Sequence, residues 1–327
     1  LTSAMRRHSP EPTPLTRIAP VAGFNRLYVK DESRHPTGTF KDRLCEKALA
    51  EAHREGLSIA TISYGNTALS LAHYRRLYDD AVPVYALMPE EVPASWVLGP
   101  STSGSFLKGD DLVRYLDSRI TVLPFDPRAE ILDDRRMAQI VEEHQGHPVR
   151  LLNITEGLAE PAYVDVIVES VRQLGRVPDV CIVPFGAGIL CNEIMDYLAP
   201  YDCDVVPLSV ERRDSLARML YGPVWLDVEA LTRTGRSLSR HASPDKTGAV
   251  REPYVVHRVG EDEVLLGVSR AVAANVSAEP SGAVGLGVLD RLHQLVDRPS
   301  LDSESLILVV NTGNAIDGFS RNIELSR

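Results

Sequence analysis

The sequence predicts an α/β fold of two domains with mostly parallel sheets. Three observations carry this reading. Short apolar runs alternate with stretches of helical periodicity from residue 27 to residue 311, the pattern left by strand–helix–strand units. Several of those runs end in a glycine- or hydroxyl-rich turn that opens into a helical stretch, as at the carboxyl ends of parallel strands. The length, 327 residues, exceeds what a single continuous core ordinarily organises.

Taken in order, residues 3–20 are proline-rich and read as an extended arm. The first strand is Leu27-Tyr-Val-Lys-Asp31. A helix follows over 39–55 and stops at Gly56, a natural left-handed terminator. Residues 59–63 form a second strand, 66–78 a helix and 82–88 a strand closed by Pro89. The stretch 90–110, rich in Ser, Gly and Pro, reads as a loop. Strand and helix then alternate over 120–125, 127–145, 149–153, 159–174 and 180–185. A helix begins near Gly188, and 205–210 is a strand. Residues 222–251 are loop-rich, 261–275 and 282–296 are helical, and 306–311 is a last buried strand broken by Thr312-Gly313-Asn314.

Composition narrows the function. Apolar residues make up 44% and charged residues 24%, with a formal charge of −10. That balance fits a globular protein and opposes general attraction to nucleic acid or anionic membrane. No apolar run reaches bilayer-spanning length, and residues 1–14 lack the apolar core of a signal peptide. The expectation is a cytoplasmic protein with reduced thiols at Cys45, Cys181, Cys191 and Cys203, which form no metal-ligand pair. The lysines are five: Lys30, Lys41, Lys47, Lys108 and Lys246. Only lysine among the basic side chains forms a Schiff base, so candidates for a covalent amine are few.

Four segments carry the chemistry. Lys30-Asp-Glu-Ser-Arg-His-Pro-Thr-Gly-Thr-Phe-Lys-Asp-Arg43 runs from a strand end through a Pro36/Gly38 turn into a helix with Lys41 in its first turn. A cation there opposes the helix dipole, which lowers the pKa of its ammonium and favours the reactive amine. Ser63-Tyr-Gly-Asn-Thr67 follows a strand and opens a helix, placing hydroxyls and amides where a carboxylate would sit. In Pro184-Phe-Gly-Ala-Gly-Ile-Leu190, Gly186 and Gly188 let backbone amides approach a phosphate at a helix start. This is neither a Walker loop nor a full dinucleotide fingerprint, since no Gly-Lys-Ser/Thr follows and the third glycine is missing. Val309-Val-Asn-Thr-Gly-Asn314 puts the neutral hydroxyl of Thr312 at a strand end. Each segment alone has an ordinary reading as a turn, a cap or a solvated lysine. Their order along one chain is the informative feature.

That order resembles the fold-type II pyridoxal-phosphate enzymes, the tryptophan-synthase-β-like superfamily. Within it the segments are most similar to threonine synthase, through Lys30-Asp-Glu32, Pro36-Thr-Gly-Thr-Phe-Lys-Asp-Arg43, Thr312-Gly-Asn314, Thr13-Pro-Leu15 and Glu279-Pro-Ser-Gly-Ala283. The resemblance covers about residues 13–317. It implies a two-domain architecture with the cofactor, pyridoxal 5′-phosphate, between a smaller domain at 36–147 and a larger one formed by 1–35 and 148–327. Lys41 would carry the cofactor as a Schiff base and shuttle protons. Asn66 would bond the phenolic oxygen, Gly186, Ala187, Gly188, Ile189 and Leu190 would hold the phosphate, and Thr312 would face the pyridine nitrogen. Ser63, Tyr64, Gly65 and Thr67 would cradle an amino-acid carboxylate.

The implied activity is α-proton abstraction, β- or γ-elimination, and then addition or hydrolysis, with a homodimer as the family's usual assembly. Ala187, Ile189 and Tyr64 depart from the family pattern, and residues 90–110 do not match the threonine synthase segment that follows the corresponding strand. Lys108 and Arg114 read first as solvated side chains and second as substitutes for that family's substrate-phosphate ligands, and Glu211 reads second as a residue facing the ring. Cysteine-synthase-like β-replacement and serine or threonine dehydration are the alternatives, followed by a catalytically silent relative.

Overall fold

A computed structural model describes residues 12–63, 65–78, 80–88, 114–124, 134–154, 159–186, 188–210 and 254–315. Expectations for Tyr64, Lys108, Ala187, Glu211 and all of 90–110 lie outside these residues.

The described strands form two sheets. The larger has six strands in the order β1-β2-β10-β7-β8-β9: β1 (Leu15–Arg17), β2 (Arg26–Asp31), β10 (Leu306–Asn311), β7 (Val180–Pro184), β8 (Asp204–Val210) and β9 (His257–Val259). Only β1 pairs antiparallel. The smaller sheet is wholly parallel, in the order β5-β4-β3-β6: β5 (Thr121–Pro124), β4 (Val84–Met88), β3 (Ser58–Ile62) and β6 (Leu151–Asn153). Strands β4, β7 and β10 are apolar along most of their length, because parallel strands are covered on both faces.

The helices are α1 (Lys41–Glu55), α2 (Asn66–Arg75), α3 (Asp134–Gln145), α4 (Ala159–Leu174), α5 (Ile189–Leu198), α6 (Glu261–Ala273), α7 (Pro280–Gly287) and α8 (Leu292–Leu295). Helix α1 buries Leu44, Cys45, Ala48, Leu49 and Ala52, an i, i+3/i+4 stripe. It ends on Gly56 at φ 62°, as the sequence predicts. Helices α6 and α7 pack so closely that a Cβ on Gly267 or Gly287 would strike the backbone of the facing helix.

Most boundaries move by a few residues from the expected ones. The expected helix 66–78 ends in a 3₁₀ turn at Arg76–Tyr78, and the helix 282–296 divides into α7, a 3₁₀ turn at Val288–Arg291 and α8. The arm at 3–20 contains β1, and β9 was also unexpected. Both have three residues, too short for a period-2 pattern to register. Among the described residues no helix is long and apolar enough to cross a membrane.

Candidate functional site

The turn before Lys41 is built by its neighbours. Gly38 has φ 79°, and Asp42, one residue after the lysine, points inward. Its carboxylate accepts from Thr37 N at 2.8 Å, Ser70 Oγ at 2.5 Å, Tyr74 OH at 3.4 Å and, at short range, the Thr37 hydroxyl. Burial pushes the Asp42 carboxyl above its ordinary range, while these donors and His35 pull against that rise. Arg43 is buried as well, so of the triplet Lys41-Asp42-Arg43 only Lys41 remains half-buried.

Lys41 is the first residue of α1 and follows Phe40, which offers no side-chain cap. Its Nζ lies 4.5 Å from the centroid of the Phe40 ring and 5.3 Å from that of Tyr163 on α4. The two rings are tilted against each other at 4.8 Å. They give the ammonium two π faces, a seat worth about 0.5–2 kcal/mol for a lysine.

This turn is joined to the end of β10. Phe40 N–H donates to Thr312 O at 3.1 Å, and Asn314 N–H donates to Gly38 O at 2.6 Å. Thr39 and Gly313 form an antiparallel bridge. Gly313 has φ 143° and a Cβ there would collide with Gly38 O, so this junction requires glycine. Thr312 is buried, and among the described residues its hydroxyl makes no hydrogen bond.

The Ser63 loop leaves β3 and enters α2. Ser63 Oγ accepts from Gly65 N at 3.1 Å and Ala68 N at 3.0 Å, so its oxygen caps the helix and only its proton is available outward. Gly65, at φ 127°, makes the turn. Asn66 and Thr67 are half-buried at the start of α2. Asn66 Nδ2 donates to Glu279 Oε1 at 3.2 Å, a partner the sequence presents only as part of Glu279-Pro-Ser-Gly-Ala283.

The third loop leaves β7. Gly188 has φ 82° and precedes α5 with no side-chain cap. Gly186 is exposed and a Cβ there would meet nothing within 4 Å. Ile189 is half-buried and Leu190 buried in the first turn, so their side chains face protein while the helix start keeps its backbone donors. Beyond the loop, Asn192 Oδ1 accepts from Tyr254 OH at 2.6 Å, and Phe185 meets the Tyr254 ring edge-on at 6.4 Å. Among the described residues no cluster of three His, Cys, Asp or Glu could hold a metal.

Comparison with known proteins gives these features a context. Residues 7–313 match the family model described as pyridoxal-phosphate dependent enzyme. A threonine synthase of Methanosarcina acetivorans is 40% identical over 74 residues, which are 22% of this chain and 18% of that enzyme. The matched segment therefore spans less than a fifth of that relative. The structure is similar to maize serine racemase, with TM-score 0.63, 17% identity and coverage of 99% of this chain and 96% of that one. It is also similar to Escherichia coli diaminopropionate ammonia lyase, with TM-score 0.60, 18% identity and coverage of 96% and 86%. At such identities the two structures speak to the fold.

Proposed function

This chain belongs to the pyridoxal-phosphate-dependent enzyme family, and from that premise we propose that it is an amino-acid lyase or replacement enzyme acting through Lys41. The architecture is that of the fold-type II members, whose relatives here include lyases, racemases and a deaminase. The observation that carries the proposal is the hydrogen-bonded junction of Phe40 with Thr312 and Gly38 with Asn314. It sets an amine-bearing helix start against a strand end that offers a hydroxyl.

The side chains fit the cofactor. Lys41 supplies the amine, Asn66 and Thr312 supply neutral polar groups for the ring oxygen and ring nitrogen, and the uncapped start of α5 supplies backbone donors for a phosphate. Pyridoxal phosphate, when bound, spreads the negative charge that develops at a substrate α-carbon. Thr312 would offer that ring nitrogen a neutral hydroxyl in place of a carboxylate.

The remaining steps belong to the protein. Gly65 and Thr67, with the outward proton of Ser63, bind and orient the substrate carboxylate, together with Tyr64. As a free amine, Lys41 would be the base that removes the α-proton. The Phe40 and Tyr163 rings hold its ammonium near the site between proton transfers. Loss of a β- or γ-leaving group followed by addition or hydrolysis completes a threonine-synthase-like reaction. The short 40% match to the threonine synthase of Methanosarcina acetivorans supports the threonine-synthase-like reading.

Borohydride reduction of the cofactor-loaded protein, followed by peptide mapping, should place the label on Lys41. Phosphohomoserine, O-acetylserine, O-phosphoserine, serine and threonine should then be offered in turn, with released phosphate or ammonia as the readout. Phosphate release from phosphohomoserine supports the threonine-synthase-like reading. Its absence, with ammonia from serine or threonine, would transfer the assignment to a dehydratase.

A further inference from the structure

A second ionisable group lies in the site. Glu279 occupies the cap position before α7 and is 7% exposed. Its Oε1 accepts from Asn66 Nδ2 at 3.2 Å and Ser281 Oγ at 3.1 Å, and its Oε2 faces the Ala315 N–H at 3.5 Å. The main chain is fixed independently, since Glu279 N–H donates to Gly313 O at 2.9 Å and Glu279 O accepts from Ala283 N at 3.0 Å. The carboxylate thus links α2, which follows a strand of the smaller sheet, to the end of β10 in the larger one.

We infer that Glu279 is a positioning residue that fixes the orientation of the Asn66 amide, so that Asn66 offers an N–H to the ring oxygen of the cofactor. This rests on the reading above, in which Asn66 faces that oxygen. A primary amide carries two donor hydrogens and one acceptor oxygen. An ionised carboxylate has no proton to give, so it engages only the Nδ2 end of Asn66. One hydrogen of Nδ2 is then committed to Glu279, and the second is the donor left for a ring oxygen. A donor N–H favours the ionised ring oxygen, whereas an acceptor in that place favours the hydroxyl form. Glu279 therefore biases the ring toward its visible-absorbing form by acting through Asn66.

One feature works against the ionised form: burial pushes the Glu279 carboxyl above its ordinary range, and the bonds from Ser281, Ala315 and Asn66 oppose that rise. A buried carboxylate is costly to hold, yet here three donors from separate segments converge on it. None of them is a cation. The position is also a helix start, where negative charge is favoured.

The test uses cofactor-loaded wild type, Glu279→Gln, Glu279→Asp, Asn66→Ala and the Asn66→Ala/Glu279→Gln double variant. The readouts are the ratio of visible to near-ultraviolet cofactor absorption, the cofactor Kd and borohydride labelling of Lys41. Gln satisfies either orientation of the Asn66 amide, so Glu279→Gln should lower the band ratio and weaken cofactor binding about tenfold. Asp keeps the charge but withdraws it by one methylene, so Glu279→Asp should shift the ratio in the same direction. It also serves as the second variant if the Gln protein does not take up cofactor. In the Asn66→Ala background the Gln change should alter either value by less than about twofold. A Glu279→Gln protein with the wild-type ratio and affinity overturns the inference. An equal effect with and without Asn66 overturns it too. Wild-type label on a residue other than Lys41 overturns the underlying site reading, whatever the Glu279 variants show.

Discussion

Arg43 Nε donates to Glu32 Oε2 at 2.7 Å, with both side chains buried. The same guanidinium reaches Glu169 at 2.8 Å, and Lys30 Nζ meets Glu169 at 2.7 Å. Thr13 joins the cluster by donating its hydroxyl to Glu32 at 2.6 Å. The charges of Lys30, Glu32 and Arg43 are therefore structural, and with Thr13 and Glu169 they tie the arm, β2, α1 and α4 together. Removing one partner leaves a buried charge uncompensated. Arg43→Ala should cost about 3–5 kcal/mol in urea unfolding. Lys47→Ala breaks a half-exposed pair with Asp165 and should change stability by less than about 1 kcal/mol. Similar losses for the two would refute this division.

The pH dependence follows from the same cluster. Burial alone would raise the Glu32 carboxyl, but the His35 hydrogen bond and the charge and hydrogen bonds of Arg43 outweigh it and hold the group well below the usual carboxylate range. Glu169 is lowered too, by Arg43 and Lys30 acting against burial. A carboxyl depressed in the folded state binds fewer protons there than in the unfolded chain. Its contribution is complete above the unfolded value of about 4.3 and is lost as pH falls toward the folded one. Glu32→Gln should lower stability at neutral pH and flatten the fall between about pH 5 and pH 3. Parallel curves for variant and wild type would show that Glu32 does not drive acid sensitivity.

Gly313 offers a test of the junction itself. Its φ of 143° and the approach of Gly38 O leave no place for a Cβ. Gly313→Ala should cost about 2–4 kcal/mol, combining strain and overpacking. It should also reduce borohydride labelling of Lys41, because the displaced Gly38 turn leads into α1. Gly146, at φ 75° with nothing within 4 Å, is the control: Gly146→Ala should cost only about 1–2 kcal/mol and leave labelling unchanged. Equal labelling in the two variants would separate the junction from cofactor attachment.

Much of this candidate site is legible in the sequence because its groups sit where strands end. Lys41, Gly65, Gly188 and Gly313 are readable through one local rule, a glycine or helix start after an apolar run. Glu279 was not legible, because its role depends on Asn66, 213 positions away. Its sequence signal, a glutamate before Pro-Ser, reads first as a helix cap. Tyr163 was hidden for a similar reason: inside α4 it looks like any core aromatic, and only the fold brings it to Lys41. Lys30, a candidate amine by residue type, is excluded by its surroundings. It is fully buried and bonded to Thr13 O, Glu169 and Gln173, a network only long-range packing assembles.

The contrast between Lys41 and Arg43 gives the last prediction. Lys41 is half-buried at the first position of α1, where a cation opposes the helix dipole by about 0.3–1 kcal/mol. Against this stands the attraction of its ammonium to the Phe40 and Tyr163 rings, of about 0.5–2 kcal/mol. Because Lys41 is half-buried while Arg43 is buried against two carboxylates, Lys41→Ala should cost the cofactor-free protein less stability than Arg43→Ala. Covalent attachment should be lost completely, because no other lysine among the described residues lies at this junction. Arg43→Ala should do the reverse, lowering stability while keeping the amine. Unfolding curves and borohydride labelling on the two proteins test the pair together. A Lys41→Ala protein that unfolds as readily as Arg43→Ala, or that still accepts label, would show that chemistry and stability are not divided between these two positions.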